Sequence, residues 1–328
     1  MRRRTFIAFL AGAAAWPQSA IGQQADRPRR IGLLLSYVES DPEAQGNIAV
    51  VRRRLQELGW TEGRNLQVDY RFAGGDPERL RSSAAELVAL APDVILCGSN
   101  PGLAAMLATN RTIPVVFVQV GDPVGSGFIA SLARPGGNAT GFTNFETSMG
   151  GKWLGVLKEA APNITRVAVL LLPEAAANVA MMRVAASVSS SVRVEIVPTG
   201  VHDAAEIERA IAEFAQKPNG GLIALPNPIS VNHRALIADL ALRHRLPSMG
   251  AFRYMATGGG LISYGINPAD LYQRAAAYLN RILRGEKPGD LPVQAPDKFE
   301  LVINLKTAKA LGLTISPTLL GRADEVIE

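Results

Sequence analysis

Short apolar strands recur along almost the whole chain, separated by stretches with helical spacing. In the first half, three near-continuous apolar runs occupy residues 30–35 (RIGLLL), 93–97 (DVILC) and 115–120 (VVFVQV), and residues 66–72 (LQVDYRF) alternate like a strand. Runs of this kind are typical of parallel strands that are buried on both faces. The pattern therefore predicts an α/β fold built on a parallel sheet.

Amphipathic helices are predicted between these strands. Apolar residues have helical spacing through residues 44–58, before Gly59, and through residues 77–90. Asp76 is suited to cap the second helix and Pro77 to occupy its first turn. Helices between parallel strands cover the two faces of the sheet.

The second half of the chain repeats this strand–helix alternation. Its predicted strands are residues 166–172, 192–197, 221–225, 246–249 and 260–264. Its predicted helices are residues 151–159, 178–191, 204–215 and 231–244. A helix at 268–284, an extended segment at 287–296, a strand at 299–304 and a helix at 305–311 follow. We expect two similar βα lobes, with a tail that returns to complete both sheets.

The N-terminus has the layout of a secretory signal peptide over residues 1–22. Three arginines precede the apolar run of residues 7–16, and Ala20-Ile21-Gly22 is a small-x-small cleavage site. The twin arginines partly match a Tat signal, and Sec export or a membrane-anchoring helix are the alternatives. The only cysteine, Cys97, lies far from the leader, so we expect a periplasmic protein without a lipid anchor.

Charge and motifs argue against several functional classes. The 34 basic residues exceed the 29 acidic residues by five, and three of the 34 lie in the leader, which leaves an excess of two. No basic run with interleaved aromatics suggests a nucleic-acid partner. The sequence has no Cys/His metal spacing, phosphate loop or nucleophile elbow, so we expect no catalytic residue, metal or cofactor. Cys97 is interpreted as a buried hydrophobe, and His233 and His244 as surface residues of one helix.

Small polar and aromatic residues follow the predicted strands of both halves. Ligands of open α/β sheets bind at the carboxyl ends of the strands, and helix N-termini there offer free amides. The candidate ligand-binding residues are Ser36, Tyr37, Ser99, Asn100, Asp122, Asn144, Phe145, Glu174, Asn178, Asn227 and Tyr264. Together they predict a cleft between two lobes that binds a small amphipathic molecule.

Each candidate also has a purely structural interpretation. Asp122, before Pro123, is equally suited to a turn or helix cap, and Ser99 with Asn100 to a helix cap. Asn227 lies between two prolines and could only shape its loop. Tyr264 could be a core residue with an exposed hydroxyl. These alternatives stay open at the level of sequence.

Several segments resemble the periplasmic substrate-binding proteins of ABC transporters, in the tryptophan/tyrosine-type family. They are the leader MRRRTFIAFLAGAAAW, residues 121–124 (GDPV), 134–141 (RPGGNATG) and 241–247 (ALRHRLP), and the tail at 296–328. The resemblance implies a type I periplasmic-binding fold with two Rossmann-like lobes. Lobe boundaries would be 27–145 plus 265–290 for the first lobe and 146–264 plus 291–328 for the second, with the third crossing near Leu291.

The resemblance further implies solute capture by hinge closure, without chemistry, and delivery to an ABC permease in the inner membrane. A monomer is expected. Ser99, Asp122 and Asn144 match positions where polar groups hold the ionic end of aromatic amino acids. Asn144 stands where an amino-acid binder is expected to have aspartate, and a neutral amide pairs less well with an ammonium. Alternatives are a periplasmic sensor of the same fold and an exported enzyme on a two-lobed scaffold.

Overall fold

A computed structural model describes residues 27–328 of the chain. The predicted signal peptide, residues 1–22, lies outside the described residues. Within residues 27–328, each helix is too short or too polar to span a bilayer.

The first lobe is built on a five-stranded, fully parallel sheet. Its strands are β1 (Arg29–Leu35), β2 (Leu66–Phe72), β3 (Val94–Gly98), β4 (Val115–Val120) and β5 (Ala139–Thr143), in the order β2-β1-β3-β4-β5. The predicted bounds of β2 and β4 are confirmed exactly, and those of β1 and β3 to within one residue. Buried apolar residues fill β3 completely, as expected for a strand covered on both faces.

Three helices connect these strands: α1 (Pro42–Glu57), α2 (Pro77–Ala89) and α3 (Asn100–Thr109). Asp76 caps α2, since its carboxylate accepts a hydrogen bond from the backbone N–H of Arg79 at 3.0 Å. Asp41 caps α1 in the same way, with the N–H of Glu43 at 2.8 Å. Both helices have a proline in the first turn, where no N–H is required.

The second lobe is built on a seven-stranded sheet. Its strands are β6 (Arg166–Leu171), β7 (Glu195–Gly200), β8 (Gly220–Ala224), β9 (Ser248–Gly250), β10 (Ile262–Gly265), β11 (Glu300–Asn304) and β12 (Glu325–Ile327). The order is β12-β11-β10-β9-β8-β6-β7, and only the β10–β11 pair is antiparallel within the described residues. The remaining helices are α4 (Met149–Ala160), α5 (Ala176–Ser189), α6 (Ala204–Phe214), α7 (Pro228–Asn232), α8 (Arg234–Arg243), α9 (Arg253–Thr257), α10 (Pro268–Leu283), α11 (Leu305–Ala310) and α12 (Pro317–Leu320).

Two predicted elements of the second half differ from the structure. The helix expected at 231–244 is broken into α7 and α8, because His233 has a non-helical backbone (φ −104°, ψ 21°) that ends the first and begins the second. The strand expected at 192–197 begins at Glu195, because Arg193 has a φ of +56° and Val194 N–H still bonds back to Ser189 O. The helix cap thus extends into the predicted strand.

After β10, the chain packs again against elements of the first sheet. Helix α10 packs against α1, and Trp60 donates its indole N–H to Asn280 Oδ1 at 3.0 Å. Thr140 in β5 donates to Leu291 O at 2.7 Å, and Gln294 forms a parallel bridge with Phe142. Since β11 then joins the second sheet, we propose that the third crossing follows Gln294 instead of lying near Leu291.

Candidate functional site

A cavity lies where the carboxyl ends of the two sheets face each other. It encloses about 570 Å³ of empty space, part of it open to solvent. Its walls are Ser36, Tyr37, Gly98, Ser99, Asn100, Pro101, Gln119, Asn144, Ala175, Ala177, Asn178, Pro226, Asn227, Pro228, Val231 and Phe252. The walls come from both lobes, so the cavity is an inter-lobe cleft of the kind used for small ligands.

Seven of the eleven predicted residues line this cavity. They are Ser36, Tyr37, Ser99, Asn100 and Asn144 of the first lobe, and Asn178 and Asn227 of the second. Their shared position after successive strands brings them together, as the sequence argument anticipated. Direct contact between these residues and a ligand remains a prediction.

The two serines form one polar unit on the first-lobe wall. Their hydroxyl oxygens are 2.6 Å apart, and Ser99 Oγ also accepts from the N–H of Gly102 at 3.2 Å, which caps α3. Ser99 has a φ of +75°, a costly conformation for a residue with a side chain. The capping interpretation of Ser99 therefore has direct geometric support, and the serine pair is still at the cavity wall.

Asn100 holds the loop that follows β4. Its side-chain amide donates to Gly121 O at 2.7 Å and accepts from Gly121 N–H at 2.8 Å. The pair resembles the two backbone hydrogen bonds between residues of adjacent strands. Asn144 is engaged similarly, since it donates to Gln119 O at 3.3 Å and accepts from Phe145 N–H at 2.8 Å. Both amides fix the backbone of the first-lobe wall.

Asn178 and Asn227 form a buried network on the second-lobe wall. Asn178 Oδ1 accepts from Leu172 N–H and from Asn227 Nδ2, both at 3.0 Å. Asn227 Oδ1 accepts from the N–H of Ser230 at 2.9 Å and caps α7. These hydrogen bonds support the interpretation that Asn227 shapes its loop. Amides whose donors and acceptors are paired within the protein make this wall rigid.

Gln119 and Phe252 line the cavity although sequence reasoning missed both. Gln119 Oε1 accepts from the hydroxyls of Tyr37 and Tyr272, each at 3.2 Å. Burial raises the pKa of Tyr37 and of Tyr272, so both phenols stay protonated donors. The available signal for Gln119 was its place as the one polar residue in the run VVFVQV. Its φ of +56°, at an irregularity in the β4–β5 register, was not readable from the sequence.

Two of the other predicted residues are packed away from the cavity wall. Phe145 is 2 % exposed and packs its ring edge-on to Trp153 at 5.3 Å. Tyr264 is half-buried against Phe299, with ring centroids 6.0 Å apart, and its carbonyl accepts from Trp153 Nε1 at 2.7 Å. Tyr264 thus packs at the edge of the core, which is consistent with its structural interpretation.

Asp122 and Glu174 are engaged with protein groups close to the cleft. Asp122 Oδ1 accepts from Gly125 N–H at 2.9 Å inside its own turn. Glu174 is exposed and contacts His202 Nε2 at 2.9 Å, and His202 Nδ1 lies 2.8 Å from Glu206. These contacts raise the pKa of His202 and lower the pKa of both glutamates. The turn-cap interpretation of Asp122 therefore has geometric support.

The cleft continues outward into a wider, mostly apolar opening of about 1590 Å³ that includes open solvent. Asn100, Pro101 and Ala175 belong to the walls of both spaces. The walls of the outer space include Leu80 and Phe128. Among the described lining residues of the two spaces, Asp, Glu, Lys, Arg and His side chains occur only in the outer one, as Arg81, Glu174 and His202.

Contacts between the lobes close the inner cavity. Asn232 of the second lobe donates to the backbone oxygen of Ser36 at 2.9 Å. A Cβ atom placed on Gly121 would lie 3.3 Å from the Cβ of Ala177 in the opposite lobe. The structure therefore has the lobes in direct contact around the cavity. Within residues 27–328, no cluster of three or more His, Cys, Asp or Glu side chains could hold a metal ion.

Comparison with known proteins relates most of the described chain to one family. The sequence profile described as ABC transporter substrate binding protein matches residues 38–327. A tyrosine-binding protein of Clostridioides difficile is 25 % identical over 289 residues, which cover 88 % of this chain and 82 % of that protein. A conserved domain protein of Vibrio cholerae is 28 % identical, with a TM-score of 0.85 over 92 % of this chain and all of that one.

A further solved structure, an ABC domain of Streptococcus pneumonia in complex with L-Trp, is 22 % identical. Its TM-score is 0.84 over 92 % of this chain and 100 % of that chain. These structures confirm the predicted two-lobed α/β architecture of the type I periplasmic-binding fold.

Proposed function

This chain belongs to the family of ABC transporter substrate-binding proteins, and from that premise we propose that it is the solute-binding component of an importer. It captures a small amphipathic molecule, amino-acid-like or aromatic or an amide, in the inter-lobe cavity and delivers it to a membrane permease. Hinge closure of the two lobes around the ligand traps the ligand for delivery.

One observation carries this proposal. The cavity lies at the carboxyl ends of two separate parallel sheets, and its walls come from both lobes. A ligand held there contacts both lobes at once and stabilises their closed arrangement by its differential affinity. The cavity walls consist of hydroxyls, amides and apolar rings, which suit recognition. Two relatives are named or described for binding tyrosine and L-Trp, which supports an amphipathic solute of similar size.

The proposal places the protein in the periplasm as a monomer. The periplasmic location rests on the leader over residues 1–22, with its basic start, short apolar run and small-x-small site. Export by the Tat or Sec route delivers a free protein, because the only cysteine, Cys97, is not positioned for lipid attachment. The permease partner is the inner-membrane component that such receptors serve.

A thermal-shift screen of the protein from Gln23 to Glu328 tests the function. The panel contains amino acids, aromatic acids, amides, nucleosides and sugars. A ligand present at 100 times its Kd adds about 2.7 kcal/mol to the stability of the folded state. We expect a raised melting temperature with one chemical class and a smaller scattering radius at saturation. A panel without any shift, together with an unchanged radius, would contradict solute capture.

A further inference from the structure

The walls of the inner cavity contain no charged side chain. Its sixteen lining residues include no Asp, Glu, Lys, Arg or His. From this we propose that the part of the ligand held there is uncharged or anionic, and that α-amino acids and amines are poor ligands. The inference rests on the proposed function and narrows its ligand class.

A buried ammonium group needs a carboxylate, or several oriented acceptors, to replace its water. Each side-chain amide oxygen of these walls already accepts at least one hydrogen bond. Asn144 Oδ1 accepts from Phe145 N–H, and Asn178 Oδ1 accepts two hydrogen bonds. Gln119 Oε1 accepts from two tyrosine hydroxyls. An ammonium placed here would share these neutral oxygens with their present donors, and no carboxylate of the wall would offset its charge.

Three carboxylates of the cleft region are engaged with protein groups. Asp41 is ion-paired with Arg234, Glu174 contacts His202, and Asp122 accepts from Gly125 N–H within its own turn. None of the three is among the residues that wall the inner cavity. The charge of an ammonium would therefore meet no opposite charge inside this cavity.

Donor groups, by contrast, are available on both sides. Gln119 lines the first-lobe wall, and its Nε2 has no hydrogen-bond partner among residues 27–328, since only its Oε1 is engaged by side chains. Helix α5 has 14 residues and begins at the cavity, and its N-cap residue Ala175 provides no side-chain cap for the first amides. Free amide N–H groups suit a carbonyl or carboxylate oxygen. The cavity is thus matched to an acid or amide head, with an apolar body against walls such as Phe252.

Four probes that share one phenol ring test the charge preference: 3-(4-hydroxyphenyl)propanoate, its primary amide, L-tyrosine and tyramine. Calorimetric titration of the protein from Gln23 to Glu328 measures each affinity. We expect the acid or the amide to bind roughly tenfold or more tightly than L-tyrosine and tyramine, because only the latter two bury an ammonium. Equal or tighter binding of L-tyrosine or tyramine overturns the inference, and so does failure of both the acid and the amide to bind.

The variant Asn144→Asp places a carboxylate in the cavity wall. We expect it to lose at least tenfold of its affinity for the acid and to improve binding of tyramine, with folding checked by its melting temperature. Asp122→Asn is the matched control and should change neither affinity, whereas loss of L-tyrosine binding in that variant would identify Asp122 as the ammonium partner. If a zwitterion or cation from the broader panel binds and compacts the protein, the proposed function stands and this inference fails. If no solute in that panel binds, the proposed function itself fails.

Discussion

Arg234 of the second lobe reaches across the cleft and pairs with Asp41 of the first. The two guanidinium nitrogens lie 2.6 and 3.0 Å from the two carboxylate oxygens, a bidentate geometry. The Asp41 side chain is 4 % exposed and that of Arg234 is 17 % exposed. Arg234 also lies over the ring of Tyr254, 4.9 Å from its centroid. Since Asp41 and Arg234 belong to different lobes, this pair depends on the lobes being closed.

Replacing Arg234 should weaken ligand binding, although this side chain does not line the inner cavity. In Arg234→Ala, closure would bury the Asp41 carboxylate without its partner, while the open form can hydrate it. The penalty therefore falls on the closed state, and the apparent affinity for any bound solute should drop roughly tenfold to a hundredfold. Titration calorimetry with a ligand found in the screen measures this, and the scattering radius at subsaturating ligand should rise.

Arg243→Ala is the matched control. Arg243 lies on the same helix, α8, and pairs with Asp239 one turn away on the surface of one lobe. Surface pairs of this kind contribute little. The ligand affinity of Arg243→Ala should therefore stay within about twofold of that of the parent protein. Equal losses in both variants would mean that α8 stability, and not the cross-lobe pair, controls binding.

Gly121 provides a second test of closure because it faces Ala177 of the opposite lobe. A Cβ there would lie 3.3 Å from both Ala177 Cβ and Asn144 Oδ1, so the larger side chain in Gly121→Val should hold the lobes apart. We expect roughly tenfold weaker binding and a larger scattering radius in the presence of ligand. Gly137→Val is the control, since a Cβ at exposed Gly137 meets nothing within 4 Å. An unchanged affinity in Gly121→Val would show that closure does not require this contact.

Much of the fold follows from local patterns. Continuous apolar runs such as β4 are typical of strands covered on both faces of a parallel sheet, and the pair Asp76-Pro77 is a local signal for the start of α2. Elements that depend on distant partners were not predictable. Strand β12 exists because Glu325–Ile327 pairs with β11, and a three-residue strand has no periodicity of its own.

The site was predicted less completely for a related reason. A position after a strand brings residues such as Ser36 and Asn178 to the correct edge of a sheet. It does not fix the direction of the side chain. Phe145 turns into the core against Trp153, whereas Gln119 enters the cavity through a positive φ within a strand. Both outcomes depend on packing and on a register irregularity that one sequence does not reveal.

Asp122→Ala separates the two interpretations of this residue. The carboxylate accepts from Gly125 N–H and is not among the residues that wall the cavity. We expect a loss of about 1 kcal/mol in the free energy of unfolding, typical of a lost cap, and a ligand affinity within about twofold of the parent. Urea unfolding and calorimetry measure the two quantities. A large loss of affinity with unchanged stability would assign Asp122 to the ligand.

The bridge from His202 to Glu174 and Glu206 should make the stability of the second lobe depend on pH. Hydrogen bonds to the two glutamates raise the pKa of His202 from its ordinary value of 6.5, and they lower both glutamate pKa values from 4.5. The histidine contribution is present below pH 6.5 and is lost as the pH rises through the raised pKa. The glutamate contributions are present above pH 4.5 and are lost as the pH falls through the lowered values.

The bridge is therefore strongest between these limits, and His202→Ala should destabilise the protein more at pH 5.5 than at pH 9. Urea unfolding of the parent and the variant at both pH values measures the difference. The control is His244→Ala, because the histidine ion pairs within residues 27–328 both involve His202, and comparing the two variants at each pH isolates the bridge. An NMR titration of the His202 ring with a midpoint at or below 6.5, or an equal effect of His202→Ala at both pH values, would rule out the charged bridge.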